Sequence, residues 1–329
     1  MNKKNLLPMI LAITMLIGAC ATPAPQPTAV PAPTTAPTVA PTLAPTVAPT
    51  PAPLTFTDAS KRTVKLPKPA QRVVSIAPSN TEILFAVGAG KQVVGRDDLS
   101  DYPPEAKSVT SIGSTFKKLN TEAIVVLKPD LVLAANLTPA EQVKSLEDLG
   151  ITVYVLGNPK DLDGLYQNLI IVGQLTGHED DAKKLNENLK KRVSAVTDKT
   201  KSVTAKPKVF YEIDGSDPLK PWTTGAGTFI DTLITMAGGQ NVGASLKDPF
   251  AQMSSEEIVK QNPDIILLGD AKFGTTVESV GKRAGWSAIA AVKNNKVIAF
   301  DDDLASRPGP RLVDGLETMA KVFQPDLFK

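Results

Sequence analysis

The sequence has very few of the residues on which most catalytic and metal sites depend. Its 329 residues include one cysteine, Cys20, and one histidine, His178. A single cysteine cannot form an intramolecular disulfide, and these two residues alone cannot form a His/Cys metal cluster. A Ser-His-Asp or Cys-His site would have to be built around His178, and no G-x-S-x-G motif supplies a serine. We therefore expect no enzyme activity and no bound metal, and we interpret His178 as a surface residue.

The sequence also lacks an excess of charge. Its formal net charge is +2, and Lys3 and Lys4 at the N-terminus account for it. A nearly neutral body without a basic block argues against nucleic-acid binding. The two Gly-Ala-Gly segments, 88–90 and 225–227, do not extend to G-x-G-x-x-G, so dinucleotide binding is not predicted either.

Residues 1–20 are typical of an export signal. A basic start precedes an uncharged run from Leu6 to Ala19, which is shorter than the about 20 residues needed to span a bilayer. The run ends in Leu-Ile-Gly-Ala-Cys20, which resembles a bacterial lipobox. That resemblance implies that Cys20 is lipidated and anchors the protein to the outer face of the cell membrane. A free cysteine in an ordinary signal peptide is the alternative.

Residues 21–53 consist almost entirely of Ala, Pro, Thr and Val, with no charge and no glycine. An Ala-Pro-Thr unit recurs every four residues, beginning at Ala36, Ala40, Ala44 and Ala48. Proline at this density prevents regular helix and sheet and favours an extended polyproline II conformation. We expect a semi-rigid stalk that holds a folded body away from the membrane, and a glycosylated spacer is an open alternative.

From residue 54 onward, short apolar strands alternate with longer helical patterns. This alternation predicts an α/β fold with mostly parallel sheets. We expect an N-terminal lobe over 54–178, a bridging helix over 179–203 and a C-terminal lobe over 204–329. The bridging helix is predicted from apolar residues with helical spacing: Ala182, Leu185, Leu189, Val193 and Val196.

An internal repeat supports two related lobes. The segment from Glu122 to Leu133 matches the segment from Glu256 to Leu267: each has Glu, then Ile-Val two residues on, then Pro-Asp at seven, then an apolar strand. We interpret the match as pseudo-twofold symmetry, although two generic αβ units could look alike. Glutamate in a first helical turn suits the helix dipole, and Ser254 with Glu257 predicts a capping box.

Several motifs resemble one known family, the binding proteins of ABC importers for vitamin B12, ferric siderophores and haem. The similarity runs from about residue 54 to the C-terminus. It is most specific to the vitamin B12 branch in the segments Ser75-Ile-Ala-Pro-Ser-Asn-Thr-Glu82, Gly95-x4-Ser-Asp-Tyr-Pro-Pro104 and Gly113-Ser-Thr-Phe116. The resemblance implies two α/β lobes bridged by one long helix, the class III periplasmic binding protein type.

The resemblance also implies roles for individual residues. Glu122 and Glu256 match the lobe-tip glutamates that dock onto the two subunits of a permease. The ligand site would lie between the lobes. Its implied residues are the aromatic walls Phe116, Trp222 and Phe250, then Leu99 where the B12 branch tends to carry tyrosine, and the polar contacts Asp303 and Arg307. Phe116 and Phe250 stand where the family pattern has tryptophan, and Trp222 is expected in a loop.

The prediction of the cargo rests on the arginine and tyrosine residues. The arginines are scattered and there are four tyrosines, whereas binders of anionic iron chelates use Arg and Tyr clusters. We therefore expect a corrinoid such as cobalamin, with a ferric siderophore or haem as alternatives. The expected protein is a monomer that delivers this cargo to an ABC permease dimer. A stalked surface enzyme or adhesion module with the same fold is the alternative from another class.

Overall fold

Two small parallel sheets form the framework of this protein. The computed structural model describes residue 24, residues 53–115 and residues 118–329. Cys20, Phe116 and almost all of the predicted stalk lie outside the described residues. Among the described residues, no helix combines the length and the apolar character that crossing a bilayer requires.

The first lobe carries four parallel strands, and a peripheral antiparallel hairpin precedes them. The elements of this lobe are β1 (Leu54–Thr57), β2 (Thr63–Leu66), β3 (Val73–Ser75), α1 (Pro78–Ala86), β4 (Val93–Arg96), α2 (Thr121–Val126), β5 (Leu131–Ala135), α3 (Ala140–Glu147), β6 (Val153–Leu156) and α4 (Leu162–Thr176). Strands β3 and β6 are buried along their whole length. Continuous burial of Val, Leu and Tyr side chains is what helices on both faces of a parallel sheet produce.

The long helix α5 (Glu179–Thr200) follows, and the second lobe comes after it. The elements of that lobe are β7 (Lys208–Glu212), β8 (Trp222–Thr224), α6 (Phe229–Met236), β9 (Gln240–Asn241), β10 (Phe250–Gln252), α7 (Ser255–Gln261), β11 (Ile265–Leu268), α8 (Val277–Gly281), α9 (Ala290–Lys293), β12 (Val297–Ala299), α10 (Asp303–Ser306) and α11 (Leu312–Phe323).

The strand orders of the two sheets correspond. The first sheet has the order β4-β3-β5-β6, and the second, read in the same direction, has the order β9-β7-β11-β12. All neighbouring strands within these two sheets are parallel. In each of these sheets the strand that comes first along the chain is internal, the second lies beside it at one edge, and the third and fourth follow on the other side. The predicted fold of two α/β lobes with parallel sheets is confirmed.

The internal repeat of the sequence occupies equivalent places in the two sheets. It covers α2 and β5 in the first lobe and α7 and β11 in the second. The turn between helix and strand has the same backbone form in both copies, since Lys128 has φ of 46° and Asn262 has φ of 49°. Pro129 and Pro263 come next, so each helix ends at a left-handed residue followed by proline.

The aspartate of each repeat also makes an equivalent contact. The Asp130 carboxylate accepts hydrogen bonds from the backbone N–H groups of Gln71 and Arg72, at 2.9 and 3.0 Å. The Asp264 carboxylate accepts one from the N–H of Lys208, at 2.8 Å. Each aspartate thereby connects the start of its strand to the start of the neighbouring strand, β3 in the first lobe and β7 in the second.

Helix α5 packs against both lobes. It contacts α4 of the first lobe and α6 and α11 of the second. Its buried Leu189 and Val196 belong to one hydrophobic cluster that also contains Leu165 of α4, Leu233 of α6 and Leu316 of α11. At 1.5 Å per residue its length is about 33 Å. The lobes therefore share part of one core, and one face of the bridging helix belongs to it.

A short turn separates α4 from the bridging helix. The Asp161 side chain caps the start of α4 by accepting from the Gly164 N–H at 2.8 Å. Gly177 ends α4 with φ of 80°, in the left-handed region that favours glycine. His178 follows at the N-cap of α5 with a half-buried side chain, and its Nδ1 lies 3.4 Å from an Asp181 carboxylate oxygen.

Two local predictions were wrong. Trp222 is not in a loop but on β8, which pairs with β10. A three-residue strand between Pro221 and Gly225 is too short to show alternation in the sequence. Gly225 is required there, since a Cβ on it would lie 2.4 Å from the carbonyl oxygen of Asp248.

The predicted capping box at α7 is present only in half. The Ser254 hydroxyl accepts from the Glu257 N–H at 3.2 Å, as predicted. The Glu257 carboxylate, however, accepts from the side-chain amide of Gln261 at 2.7 Å. A nearby side-chain donor one turn along the helix thus replaces the backbone partner.

Candidate functional site

A cavity of about 440 Å³ lies at the carboxyl ends of the first lobe's strands. Residues directly after each of the four parallel strands line it: 76–80, Asp97, 136–139 and 157–158. Residues 306–308 of the second lobe also line it. Ligands of open α/β sheets bind outside the carboxyl ends of the strands. We refer to this space as the cleft cavity, and it is the candidate site.

Asp97 is the buried acid of the cleft cavity. Its carboxylate accepts hydrogen bonds from the Ser100 hydroxyl and from the Leu99 N–H, the latter at 3.1 Å. Burial raises the pKa of Asp97 despite these two donors, which act in the opposite direction. Both oxygens already have partners within the first lobe, so Asp97 shapes the cavity wall.

Two arginines of the second lobe reach across to a buried acid of the first. Glu82 of α1 has 1 % of its side chain exposed. Arg311 contacts both of its carboxylate oxygens, at 2.5 and 2.8 Å, and Arg307 contacts one of them at 3.1 Å. Arg307 also pairs with Asp101 of the first lobe at 2.8 Å. These four residues are the interlobe ion-pair cluster, and they fix the spacing of the lobes beside the cavity.

The ion pairs of the cluster shift the pKa of one of its members, Asp101. Burial alone would raise the pKa of Asp101, but the hydrogen bond and charge of Arg307 outweigh it, so the pKa of Asp101 is lowered. The guanidinium of Arg311 also stacks on Tyr102, 4.1 Å from the ring centre. Packing of this kind pre-orients an arginine and lowers the entropy that its contacts cost.

The predicted polar contacts Asp303 and Arg307 are adjacent. Arg307 lines the cleft cavity, and an Asp303 carboxylate oxygen lies 3.0 Å from its guanidinium. Asp303 also pairs with Lys272. The Leu99 side chain is 48 % exposed, and its carbonyl accepts from Arg307 at 3.4 Å. All three residues thus gather where the two lobes meet.

The predicted aromatic residues of the second lobe lie together on one ribbon, formed by β8 and β10. Trp222 is 41 % exposed and Phe250 is 55 % exposed. The register pairs Phe250 with Thr224 and Gln252 with Trp222, so the two aromatics are diagonal neighbours on one face. They are not among the residues that line the cleft cavity.

The ribbon is fixed to the carboxyl edge of the second sheet. The Trp222 N–H donates to the carbonyl of Asp214 at 2.8 Å, just after β7 ends. Next to it, Glu212 is fully buried and paired with Arg283, with an N–O distance of 2.8 Å. Burial raises the pKa of Glu212 even against this arginine. The exposed side chains of Trp222 and Phe250 therefore lie on a ribbon that is anchored next to a buried ion pair.

Glu122 and Glu256 occupy equivalent, exposed positions. Each lies in the first turn of its helix, where Asn120 caps α2 and Ser254 caps α7. A helix that precedes a parallel strand starts at the edge where the strands end. Both glutamates therefore lie toward the carboxyl edge of their own sheet.

The remaining predicted site residues, Phe116 and Cys20, lie outside the described residues. Within the described ranges, no group of three His, Cys, Asp or Glu side chains is placed to hold a metal ion. The sequence reasoning missed Glu82, Asp101 and Arg311 as site residues. The sequence does indicate part of this cluster. Arg307 and Arg311 flank a Pro-Gly-Pro segment, and two arginines at this spacing can bind one acidic partner.

Comparison with known proteins gives a consistent picture. A family model described as periplasmic binding protein matches residues 73–304. The ABC transporter substrate-binding lipoprotein YvrC of Bacillus subtilis, itself described as uncharacterized, is 36 % identical over 84 % of this chain and 87 % of its own length. A cobalamin-binding protein of Halobacterium salinarum is 31 % identical over 82 % of this chain and 74 % of its own.

Solved structures agree with the fold. The periplasmic heme-binding protein RhuT from Roseiflexus sp. RS-1 superposes with a TM-score of 0.70 at 29 % identity. The match covers 78 % of this chain and 99 % of that one.

Proposed function

The chain belongs to the periplasmic binding protein family, and we propose that it is the receptor of an ABC importer that captures a corrinoid between its lobes. Its relatives are substrate-binding proteins, so the expectation of a binding protein rather than an enzyme is confirmed. The observation that carries the proposal is the cleft cavity. It lies at the strand ends of one lobe and residues of the other lobe contribute to its wall, as a receptor that binds cargo between two lobes requires.

The choice of a corrinoid rests on shape and on the relatives. A corrinoid is a large flat ring, and exposed aromatic faces such as Trp222 and Phe250 bury such a surface well. The Halobacterium relative is named for cobalamin binding. Haem is the second candidate, because the RhuT structure shares the fold and is named for haem. Leu99, Asp303 and Arg307, together with Phe116, complete the proposed contact set.

Glu122 and Glu256 are the proposed docking residues for the two permease subunits. Their exposure and their equivalent places in the two lobes support this role. Single exposed ion pairs contribute little affinity, but two at a fixed spacing can set the orientation of a partner. The shared core around α5 would keep that spacing constant.

We propose that Cys20 carries the lipid anchor and that residues 21–53 connect it to the folded body. The name of the B. subtilis relative, a substrate-binding lipoprotein, supports this arrangement. The proposed organisation is a signal over 1–20, the stalk over 21–53, lobes over 54–178 and 204–329, and the bridge over 179–203. The protein would then work on the outer face of the membrane.

Calorimetric titration of residues 21–329 with cyanocobalamin, haemin and a ferric hydroxamate tests the proposal. We expect cyanocobalamin to bind at one molecule per chain. The Trp222→Ala variant should bind it about tenfold or more weakly, because a stacking surface is lost. Leu149→Ala is the control, since Leu149 is exposed on the first lobe and outside the cleft cavity. Preferential binding of haemin or of the hydroxamate would refute the corrinoid assignment.

A further inference from the structure

Three amide side chains at the mouth of the cleft cavity make no hydrogen bond to another described residue: Asn136 and Asn158, which are exposed, and Gln142, which is half-buried. Two other amides in the cavity are committed to the fold. Asn80 donates to the Leu133 carbonyl at 3.2 Å, and Asn168 donates to the Gly157 carbonyl at 2.8 Å. The cavity thus contains structural amides and free ones, and the free ones can each offer a donor and an acceptor.

The free amides form one patch. Asn136 directly follows β5, and Asn158 comes two residues after β6. These strands are hydrogen-bonded neighbours with Ala135 opposite Leu156, so the chains that leave them are about 5 Å apart. Gln142 lies in the first turn of α3, the helix that connects the two strands.

The charges around the patch disfavour an anionic ligand. Arg307 is the one cation among the described residues that line the cavity. Three carboxylates already surround it, those of Glu82, Asp101 and Asp303. Asp97 adds a further acid to the wall. Arg311 pairs with Glu82 and Lys272 with Asp303, so these acids are compensated as well. An incoming carboxylate would therefore meet an arginine that already has its counter-charges.

We infer that the cleft cavity selects cargo with uncharged amide groups on its rim, and that Asn136 and Asn158 are its specificity-determining residues. The inference rests on the proposed receptor function and narrows its substrate class. An amide of the protein and an amide of the ligand can exchange two hydrogen bonds without either being charged. A corrinoid carries acetamide and propionamide groups around its ring, whereas haem carries carboxylates and ferric siderophores are commonly anionic. The 440 Å³ cavity is smaller than a whole corrinoid, so it would receive only part of the rim.

Two corrinoids separate amide recognition from ring recognition. Cobinamide keeps the amide side chains, and cobyrinic acid has carboxylates in their place on the same ring. We expect residues 21–329 to bind cobinamide at least about tenfold more tightly than cobyrinic acid. The double variant Asn136→Leu/Asn158→Leu should lose about tenfold in affinity for cobinamide and little for cobyrinic acid.

Asn294→Leu is the matched control, since Asn294 is an exposed amide before β12, at the opposite edge of its sheet. Thermal unfolding of each variant checks that the fold is retained. Equal affinity for the two corrinoids, or an unchanged double variant, would overturn the inference and leave the receptor function standing. Preference for haemin or a ferric hydroxamate over every corrinoid would overturn both the inference and the corrinoid assignment. Binding of none of these ligands would contradict the proposed function itself.

Discussion

At the scale of single residues, the contact between Glu82 and two arginines is the strongest constraint on the cleft. Glu82 is in α1 and both arginines follow α10, so the contact joins the lobes. Burying three charges is costly unless each is paired, and here Arg307 has Asp101 and Asp303 as additional partners. The cluster therefore determines how the lobes meet more than it adds to stability.

Removing the charge of Glu82 should show the free-energy cost of burying the two arginines without it. We expect Glu82→Gln to lower the free energy of unfolding by about 3 kcal/mol, because two arginines lose a buried counter-charge. Equilibrium unfolding in urea measures the change. Glu187→Gln, an exposed position on α5, should alter stability by less than about 0.5 kcal/mol. A Glu82 variant as stable as this control would show that the cluster is not an essential contact.

Residue identities on the cavity wall could be predicted only in part from the sequence. Arg307 and Asp303 were found through a family pattern, and the structure places both at the junction of the lobes. Glu82 is the last residue of the Ser75–Glu82 motif, yet its role depends on a partner 225 residues away along the chain. Local patterns contain no information about contacts of that separation, which is why the cluster escaped prediction.

At the scale of elements, the repeated helix–turn–strand unit shows how a short motif builds each lobe. The Pro-Asp pair ends a helix, starts a buried strand and connects that strand to its neighbour. The apolar strand at the end of each repeat could be predicted from the sequence, because the side chains of β5 and β11 form short apolar runs that are largely buried. The ribbon of β8 and β10 could not, since its pairing is long-range and its strands have three residues each.

The two copies of the unit provide an internal comparison. Asp130→Ala leaves two backbone N–H donors without a partner, and Asp264→Ala leaves one. We expect losses of about 2 and about 1 kcal/mol respectively in the free energy of unfolding. The Asn variants keep an acceptor oxygen and should lose less. Urea unfolding of the four proteins measures these values, and a larger loss at Asp264 would contradict the assignment.

At the scale of the whole molecule, the bridging helix makes the lobes one mechanical body. Leu189 and Val196 of α5 are buried in the hydrophobic cluster that extends into both lobes. Opening the cleft widely would expose part of that cluster to water, at roughly 25 cal/mol for each Å². Cargo binding should therefore change the lobes' relative position only slightly.

Small-angle scattering tests this expectation. We expect the radius of gyration of the empty and the cyanocobalamin-loaded protein to differ by less than about 1 Å, in line with pre-organised complexes. The comparison should use residues 21–329 in both states, so that the N-terminal segment contributes equally. A contraction of several ångströms on loading would show a hinge that the shared core does not prevent.

The central claim is that cargo occupies the cleft between the lobes, against Trp222. The chain has two tryptophans, and Trp286 is fully buried in the second lobe. Fluorescence titration with cyanocobalamin can therefore compare Trp286→Phe, which keeps Trp222, with Trp222→Phe, which keeps Trp286. We expect saturable quenching at one corrinoid per chain, clearly stronger in the protein that retains Trp222. Stoichiometric binding with equal quenching of both proteins, or with none at Trp222, would place the cargo elsewhere.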